Sequence, residues 1–435
     1  MKLHTETCRA YSVRSLTEAQ MALREAERPR LRTLLLRAFL KAWVPTANGC
    51  LYILKRIFFG NRRPAPNEIH SILAYTVGIV GDNVVMLPAL AALRKNYPRA
   101  RITVVTNCHQ WGQSGAVGVL GPSNFKDRLI VLDADPVIRH GLNFSLDSRL
   151  KGLSCELFVN FSPFGNRGWL GAVLREMIFA RKAGARHAVG FRMSTLNRKG
   201  LFNQVQHDFI KNEPRRPAMI LSELGLPSAG EGDFLTLDPD GKERMLDLLS
   251  LIRKPGAPLF VLNPGAKFSS QRWPPDRFGA IAKLIAERFD GTVVVTGTQD
   301  EQTIAEEVVR ISAGIAVNLA GRTTLQELVE LLRLAKGCVT NDTGTMHLAA
   351  MLRTPTVAIF SLRHSPAHWL PIGGNVLSLF ALPECRYCFD DYCEQRNCLK
   401  AIEVEHVQRA LDTVLNSDGR KAGWPDSGRT CHGQA

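Results

Sequence analysis

A chain of 435 residues is too long for one small core and points to two domains, with room for extensions. Its 45% hydrophobic and 22% charged residues describe an ordinary soluble protein, and ten cysteines over this length do not describe a disulfide-built secreted scaffold. The formal net charge of +15 points to anionic partners: phosphates, nucleic acid or a membrane surface.

The charge is concentrated at the start, where residues 1–67 carry 13 Lys and Arg against 4 Glu. Arg37, Lys41 and Lys55 interrupt the apolar runs there, so none reaches the roughly 18–20 residues of a transmembrane span. Arg30, Arg37 and Lys41 share one helical face, with Leu34 to Leu36, Phe39, Leu40 and Trp43 around the remainder. That pattern reads as a helix lying on an anionic lipid surface, or as a basic helix packed on the domain behind it. A cleavable signal peptide does not fit, because the apolar stretch starts late and lacks a small-residue cleavage site.

From residue 70 onward, short apolar runs alternate with amphipathic stretches, the signature of parallel sheets covered by helices. Strands are expected at 71–77, 101–107, 128–133, 156–162 and 187–191, with helices near 83–96, 169–183 and 217–225. Residues 226–242 are rich in Gly, Pro, Asp and Ser and read as a linker. The rhythm then restarts, with strands at 258–265, 291–297, 316–321, 337–341 and 355–360 and helices near 275–288, 300–312, 323–335, 344–352 and 403–415. Two α/β halves of similar size leave a cleft between them, where ligands of such proteins usually sit. The expected boundaries are a basic extension at 1–67, an N-terminal domain at 68–242, a C-terminal domain at 243–416 and a polar, disordered tail at 417–435.

Several strand ends deliver polar loops to one edge. "TVGIVGDNVV" puts Asp82 behind Gly81 at a strand–helix junction, as a helix cap or as a carboxylate aimed into the cleft. "GCVTNDTGTMHLAAM" ends a buried strand at Asn341 and opens a helix near Thr345. Read alone it is a helix N-capped by Asp342. Its free N–H groups, with Thr343, Gly344, Thr345 and His347 around them, also suit a phosphate or diphosphate. Upstream, "LNPGAKFSSQRWPPDRF" carries a polar loop into a helix opened by prolines, and "VVVTGTQDE" ends a strand before Gln299 and Glu301.

Together "NDTGTMHLAAMLRTPTVAIF", "PGAKFSSQRWPPDRF" and "GIVGDNVVMLPALAALRKNYP" resemble the ADP-heptose:lipopolysaccharide heptosyltransferases, glycosyltransferase family 9, over about residues 70–415. The resemblance implies a GT-B fold: two Rossmann-like domains whose parallel sheets face a central cleft. The C-terminal domain would bind an ADP-heptose-like nucleotide sugar and the N-terminal domain would face the acceptor. It implies that Asp82 deprotonates the acceptor hydroxyl in an inverting transfer. Asp342 would contact the sugar, and Thr343 and Gly344 the diphosphate, with no metal required. Arg322 and Thr323 would lie beside the adenine, and Glu301 on the ribose. The family usually carries a lysine where this chain has Gln271, so the cation on the diphosphate would have to be Arg272 or Lys267. The departure leaves open a protein that binds the nucleotide sugar with impaired catalysis.

Cys385, Cys388, Cys393 and Cys398 are spaced closely enough to hold a structural zinc, and equally suit two disulfides or free thiols. Arg167 and Arg192 are candidates for contact with a phosphorylated acceptor. The resemblance implies an anionic, lipid-linked saccharide acceptor and a cytoplasmic enzyme peripheral to the inner membrane. No nucleic-acid partner is expected, since the basic region lacks a recognition helix or aromatic platforms. Nor is a dehydrogenase, since the Gly81–Asp82 turn lacks the G-x-G-x-x-G spacing.

Overall fold

The computed structural model describes residues 10–25, 31–108, 113–133, 142–145, 147–162, 170–191, 212–227, 234–236, 239–373, 375–383, 388 and 390–417. Apolar runs form its strands: β1 (Ala10–Val13), β2 (Ser71–Tyr75), β3 (Arg101–Cys108), β4 (Arg128–Asp133), β5 (Leu157–Asn160) and β6 (His187–Val189). They continue with β7 (Leu259–Asn263), β8 (Thr292–Val295), β9 (Ala316–Asn318), β10 (Gly337–Asn341), β11 (Thr356–Ile359) and β12 (Val376–Ala381). Runs such as LFVLN in β7 and TVVV in β8 are buried at every position, as strands of a parallel sheet covered on both faces must be.

The strands make two sheets, β4-β3-β2-β5-β6 and β1-β12-β11-β10-β7-β8-β9, parallel throughout except for β1. Each has the doubly wound order, in which the chain starts at a central strand, builds one way and then crosses to build the other. The direction reverses between β2 and β5 in the first sheet and between β7 and β10 in the second. In such sheets the crevice beyond the carboxyl ends of those strand pairs is where ligands bind. This is the expected GT-B architecture.

The helix Val80–Asn96 is apolar on nearly all sides because it has no solvent side. Leu87, Leu90 and Leu93 share one core cluster with Leu259, Val329 and Leu348 of the second lobe, so the hydrophobic interior runs across both. Gln326 Nε2 of the second lobe donates to the Gly118 carbonyl of the first at 2.6 Å along the same seam.

The first 67 residues do more than extend the first lobe. Strand β1 pairs antiparallel with β12, Ala10 opposite Ala381. Ala19 and Leu23 of the helix Leu16–Glu25 pack on Met346, Ala350 and Ala367 of the second lobe. The following helix, Leu31–Phe59, seats Leu51 and Phe59 in the core of the first lobe. Residues 10–25 thus belong with the second lobe and the C-terminal part of the helix Leu31–Phe59 with the first. The Gly/Pro-rich stretch at 226–242 differs from expectation too. Phe234 and Leu235 are buried, and a helix begins at Pro239 and continues to Ile252. Proline at its first position is tolerated because that N–H needs no partner. Of the expected tail, residues 418–435 lie outside the described residues.

Candidate functional site

Of the residues singled out by sequence, Asp82, Lys267, Glu301 and residues 342–345 follow the carboxyl ends of β2, β7, β8 and β10. Asp82 sits in the first turn of the helix that follows β2. Its Oδ2 accepts the Ile79 N–H at 2.8 Å, so it does cap the helix. A Cβ at Gly78 would lie 2.2 Å from the Asp82 side chain, which is why only glycine fits before it. Burial pushes the carboxyl up to about 6. The Ile79 bond and the Arg216 charge pull it down, and Glu213 pushes it further up.

Opposite stands the helix Gly344–Met351. It starts at Gly344, as expected, but its N-cap is Thr343 and not Asp342, whose N–H is held by the Ile359 carbonyl at 3.0 Å as an extension of the strand pairing. Burial raises the Asp342 carboxyl to about 7 against the pull of Arg363, and His364 Nε2 stands 3.8 Å from it. His347 and Thr345 are buried, and burial lowers His347 to about 4, so it is neutral at pH 7.

The two helix tips meet. A Cβ on Gly344 would lie 2.8 Å from Val80 Cβ, and one on Gly81 would lie 3.0 Å from His347 Cδ2. Glycine on both sides lets the lobes close until the tips touch, with Asp82 on one lip and residues 342–345 on the other. Gly344→Ala is therefore expected to leave the fold intact but hold the lips apart. A crystal structure of the variant should show the contact between Val80 and residue 344 widened.

One cation here was expected, Lys267, and the other, Arg363, the sequence did not single out. Lys267 Nζ and Arg363 Cζ lie 5.2 and 4.3 Å from the centroid of the Phe268 ring. Asp391 accepts from Arg363 Nε at 3.0 Å, while its backbone carbonyl takes the Ser270 N–H and the Ser269 hydroxyl. Desolvation lowers the Lys267 pKa, opposed by the Asp82 charge, which places this ammonium within electrostatic range of the carboxylate on the other lobe. Gln271 is buried in the short turn Ser269–Gln271. Arg272 turns back, its Nε donating to the Ala266 carbonyl at 2.9 Å, so of the two expected cations Lys267 is the one facing the cleft.

Glu301 accepts the Thr298 N–H at 2.8 Å and lies against Gly265, where a Cβ would be 2.2 Å from its carboxyl carbon. Arg322 is exposed and Thr323 half-buried in the loop after β9. Asn341 ties the crevice together, donating to the Pro264 carbonyl at 2.8 Å and accepting the Trp273 N–H at 3.1 Å.

Behind Asp82 lies a buried ion network without a sequence motif. Glu213 accepts from Arg216 Nε at 2.6 Å and has His368 Nε2 of the other lobe at 3.6 Å. Burial alone would raise the Glu213 carboxyl, but Arg216 and His368 outweigh it and hold it down at about 2. Arg216 also donates to the Phe161 and Ser162 carbonyls at the end of β5.

Arg167, Arg192 and Cys385 fall outside the described residues. Cys388 is exposed, and Cys393 and Cys398 are half-buried. Among the described residues no three His, Cys, Asp or Glu side chains converge as metal ligands.

Comparison with known proteins finds one family. The model of glycosyltransferase family 9 (heptosyltransferase) matches residues 175–399. Lipooligosaccharide heptosyltransferase 2 of Campylobacter jejuni is 30% identical over 178 residues, 38% of this chain and 54% of that protein. The chain thus spans about half the length of that curated relative. Lipopolysaccharide heptosyltransferase 3 of Escherichia coli is 23% identical over 78% of this chain and 97% of its own length. Among solved structures, the ADP-heptose lipopolysaccharide heptosyltransferase II of E. coli superposes with a TM-score of 0.55 at 22% identity, covering 79% of this chain and 98% of that one.

Proposed function

The chain belongs to glycosyltransferase family 9 (heptosyltransferase), and from that premise we propose that it transfers a heptose or related sugar from an ADP-type donor to an anionic, lipid-linked saccharide of the lipopolysaccharide class. Its place would be the cytoplasmic face of the inner membrane, bound peripherally. The observation that carries this reading is the meeting of the two glycine tips, which brings a raised carboxylate on one lobe opposite free helix amides on the other.

In this reading Asp82 takes the proton of the acceptor hydroxyl as its oxygen attacks the anomeric carbon, and the bond to the diphosphate breaks on the opposite face. Inversion follows from that geometry. A carboxyl held near 6 is still largely ionised at pH 7 and is a stronger base than an ordinary aspartate. Negative charge gathers on the departing diphosphate. The amides of residues 343–345 and the Lys267 and Arg363 cations stabilise it, so a metal is not needed for that task. Asp342 would meet the sugar, with Glu301 on the ribose and Arg322 and Thr323 beside the base. Acceptor phosphate would fall to Arg167 and Arg192. The four cysteines would be structural, holding the loop whose Asp391 positions Arg363.

Arg363→Gln and Lys267→Met should each weaken ADP binding by about 10–100-fold, the range for a lost charged hydrogen bond, while leaving adenosine binding unchanged. Isothermal titration with the two ligands checks this. The overall reading is tested by incubating the protein with labelled ADP-heptose and a heptose-deficient inner-core acceptor. Labelled acceptor supports it, and donor binding without product does not. That last outcome is the second reading, a binder without turnover, and the buried neutral Gln271 is what favours it.

A further inference from the structure

The helix Leu31–Phe59 has a face that the transferase reading does not use. Phe39, Trp43, Ile53 and Ile57 are 55, 39, 58 and 72% exposed, and Cys50 is exposed among them. Their spacing of four, seven, three and four residues returns to one side of a helix at each step, so they form one stripe. From Phe39 to Ile57 it runs about 27 Å at 1.5 Å per residue. The opposite side of the helix, through Leu51 and Phe59, is seated in the first lobe. No helix among the described residues is long and apolar enough to cross a membrane.

Basic groups flank the stripe at its C-terminal end. Arg56 stacks on the Tyr52 ring at 5.8 Å and has no carboxylate partner among the described residues. Next to it is a cavity of about 280 Å³ lined by Tyr52, Lys55, Arg62, Arg63 and His187. Lys55 is neutralised by Glu223 at 2.6 Å and Arg62 by Glu68 at 2.5 Å. Arg63 has no acidic partner among the described residues. Its guanidinium lies 3.1 Å from where a Cβ of Gly225 would be, and that glycine has φ +76°. An apolar stripe bordered by uncompensated arginines matches an anionic bilayer, with acyl chains for the isoleucines and phosphates for the guanidinium groups.

We propose that this helix face and the adjoining basic cavity are a docking surface for an anionic phospholipid bilayer, with the stripe lying flat in the interface. The inference rests on the membrane-linked acceptor of the reading above, and it moves the contact from the basic residues 30–41 to the exposed side of residues 39–57. It is tested by co-sedimentation of the full chain with phosphatidylcholine vesicles, with and without phosphatidylglycerol. The native protein should bind the anionic vesicles, and less so at high salt. Ile53→Ser with Ile57→Ser, and separately Arg56→Gln with Arg63→Gln, should each weaken binding about tenfold or more. Circular dichroism should show both variants folded.

Equal binding by native and variant proteins would overturn the proposal. So would a native dimer that the stripe substitutions dissociate, since the face would then belong to a second copy. A parallel transfer assay with a delipidated, water-soluble acceptor separates the two readings. Native transfer without vesicle binding sinks only the docking surface, and vesicle binding without transfer sinks only the transferase.

Discussion

Asp82→Asn is expected to lower kcat by about 10²–10⁴-fold, the usual contribution of a positioned general base. ADP affinity should change by less than about twofold, because the nucleotide would be held by the other lobe. Asparagine keeps the shape and can still accept the Ile79 N–H, so the helix cap survives, and at pH 7 stability should match or exceed native because no buried carboxyl has to ionise. The native pH profile carries the same information. With the carboxyl raised from 3.8 to about 6, kcat should climb through about pH 6 and level off above it. The variant should lose that inflection. A normal profile in the variant would reassign the base.

Arg216→Met is expected to destabilise the protein by about 3–5 kcal/mol, the cost of stranding a buried charge. The methionine removes the closer partner of Glu213, leaving His368 at 3.6 Å, and two bonds to the end of β5 while the carboxylate stays inside. Urea denaturation should show a lower midpoint at unchanged slope. The double variant Arg216→Met with Glu213→Leu should recover much of the loss, since no lone charge remains. The native pair also predicts a pH dependence. Glu213 is depressed from 4.5 to about 2, so the stability it contributes is complete above pH 4.5 and is lost as pH falls toward 2. Asp82 and Asp342 act in the opposite sense. Their carboxyls are raised to about 6 and about 7, so each lowers stability as pH climbs from about 4 to those values. A thermal-melt series from pH 2 to pH 7 should therefore rise and then decline, and Glu213→Gln should flatten the acid limb.

Local chemistry made much of this legible. The strands of both sheets are continuous aliphatic runs, and parallel sheets leave no other place for such runs to go. The glycine–carboxylate junction at 81–82 and the Asp-Thr-Gly turn at 342–344 announced polar groups at strand ends, and both reach the crevice. What stayed hidden was long-range. Strand β1 has only four residues and finds its partner at Ala381, and no local pattern encodes that pairing. Arg363 and Asp391 are 28 residues apart, and Glu213 meets His368 across 155, so neither pair has a motif. Lys267 and Arg272 are equivalent cations on paper. The fold separates them because one faces Asp82 while the other satisfies a carbonyl of its own loop. The helix 239–252 escaped notice because its start is Pro-Asp-Gly, which reads as a turn until the apolar face behind it is placed on the second lobe.

The central claim is that a diphosphate sits on the Gly344 tip with the sugar turned toward Asp82. A crystal structure with a non-transferable ADP-heptose analogue measures it most directly. The account predicts phosphate oxygens within hydrogen-bond distance of the amides of residues 343–345, and the anomeric carbon presenting the face opposite the diphosphate to the Asp82 carboxylate. A nucleotide bound elsewhere, or a sugar whose open face points away from Asp82, would contradict it.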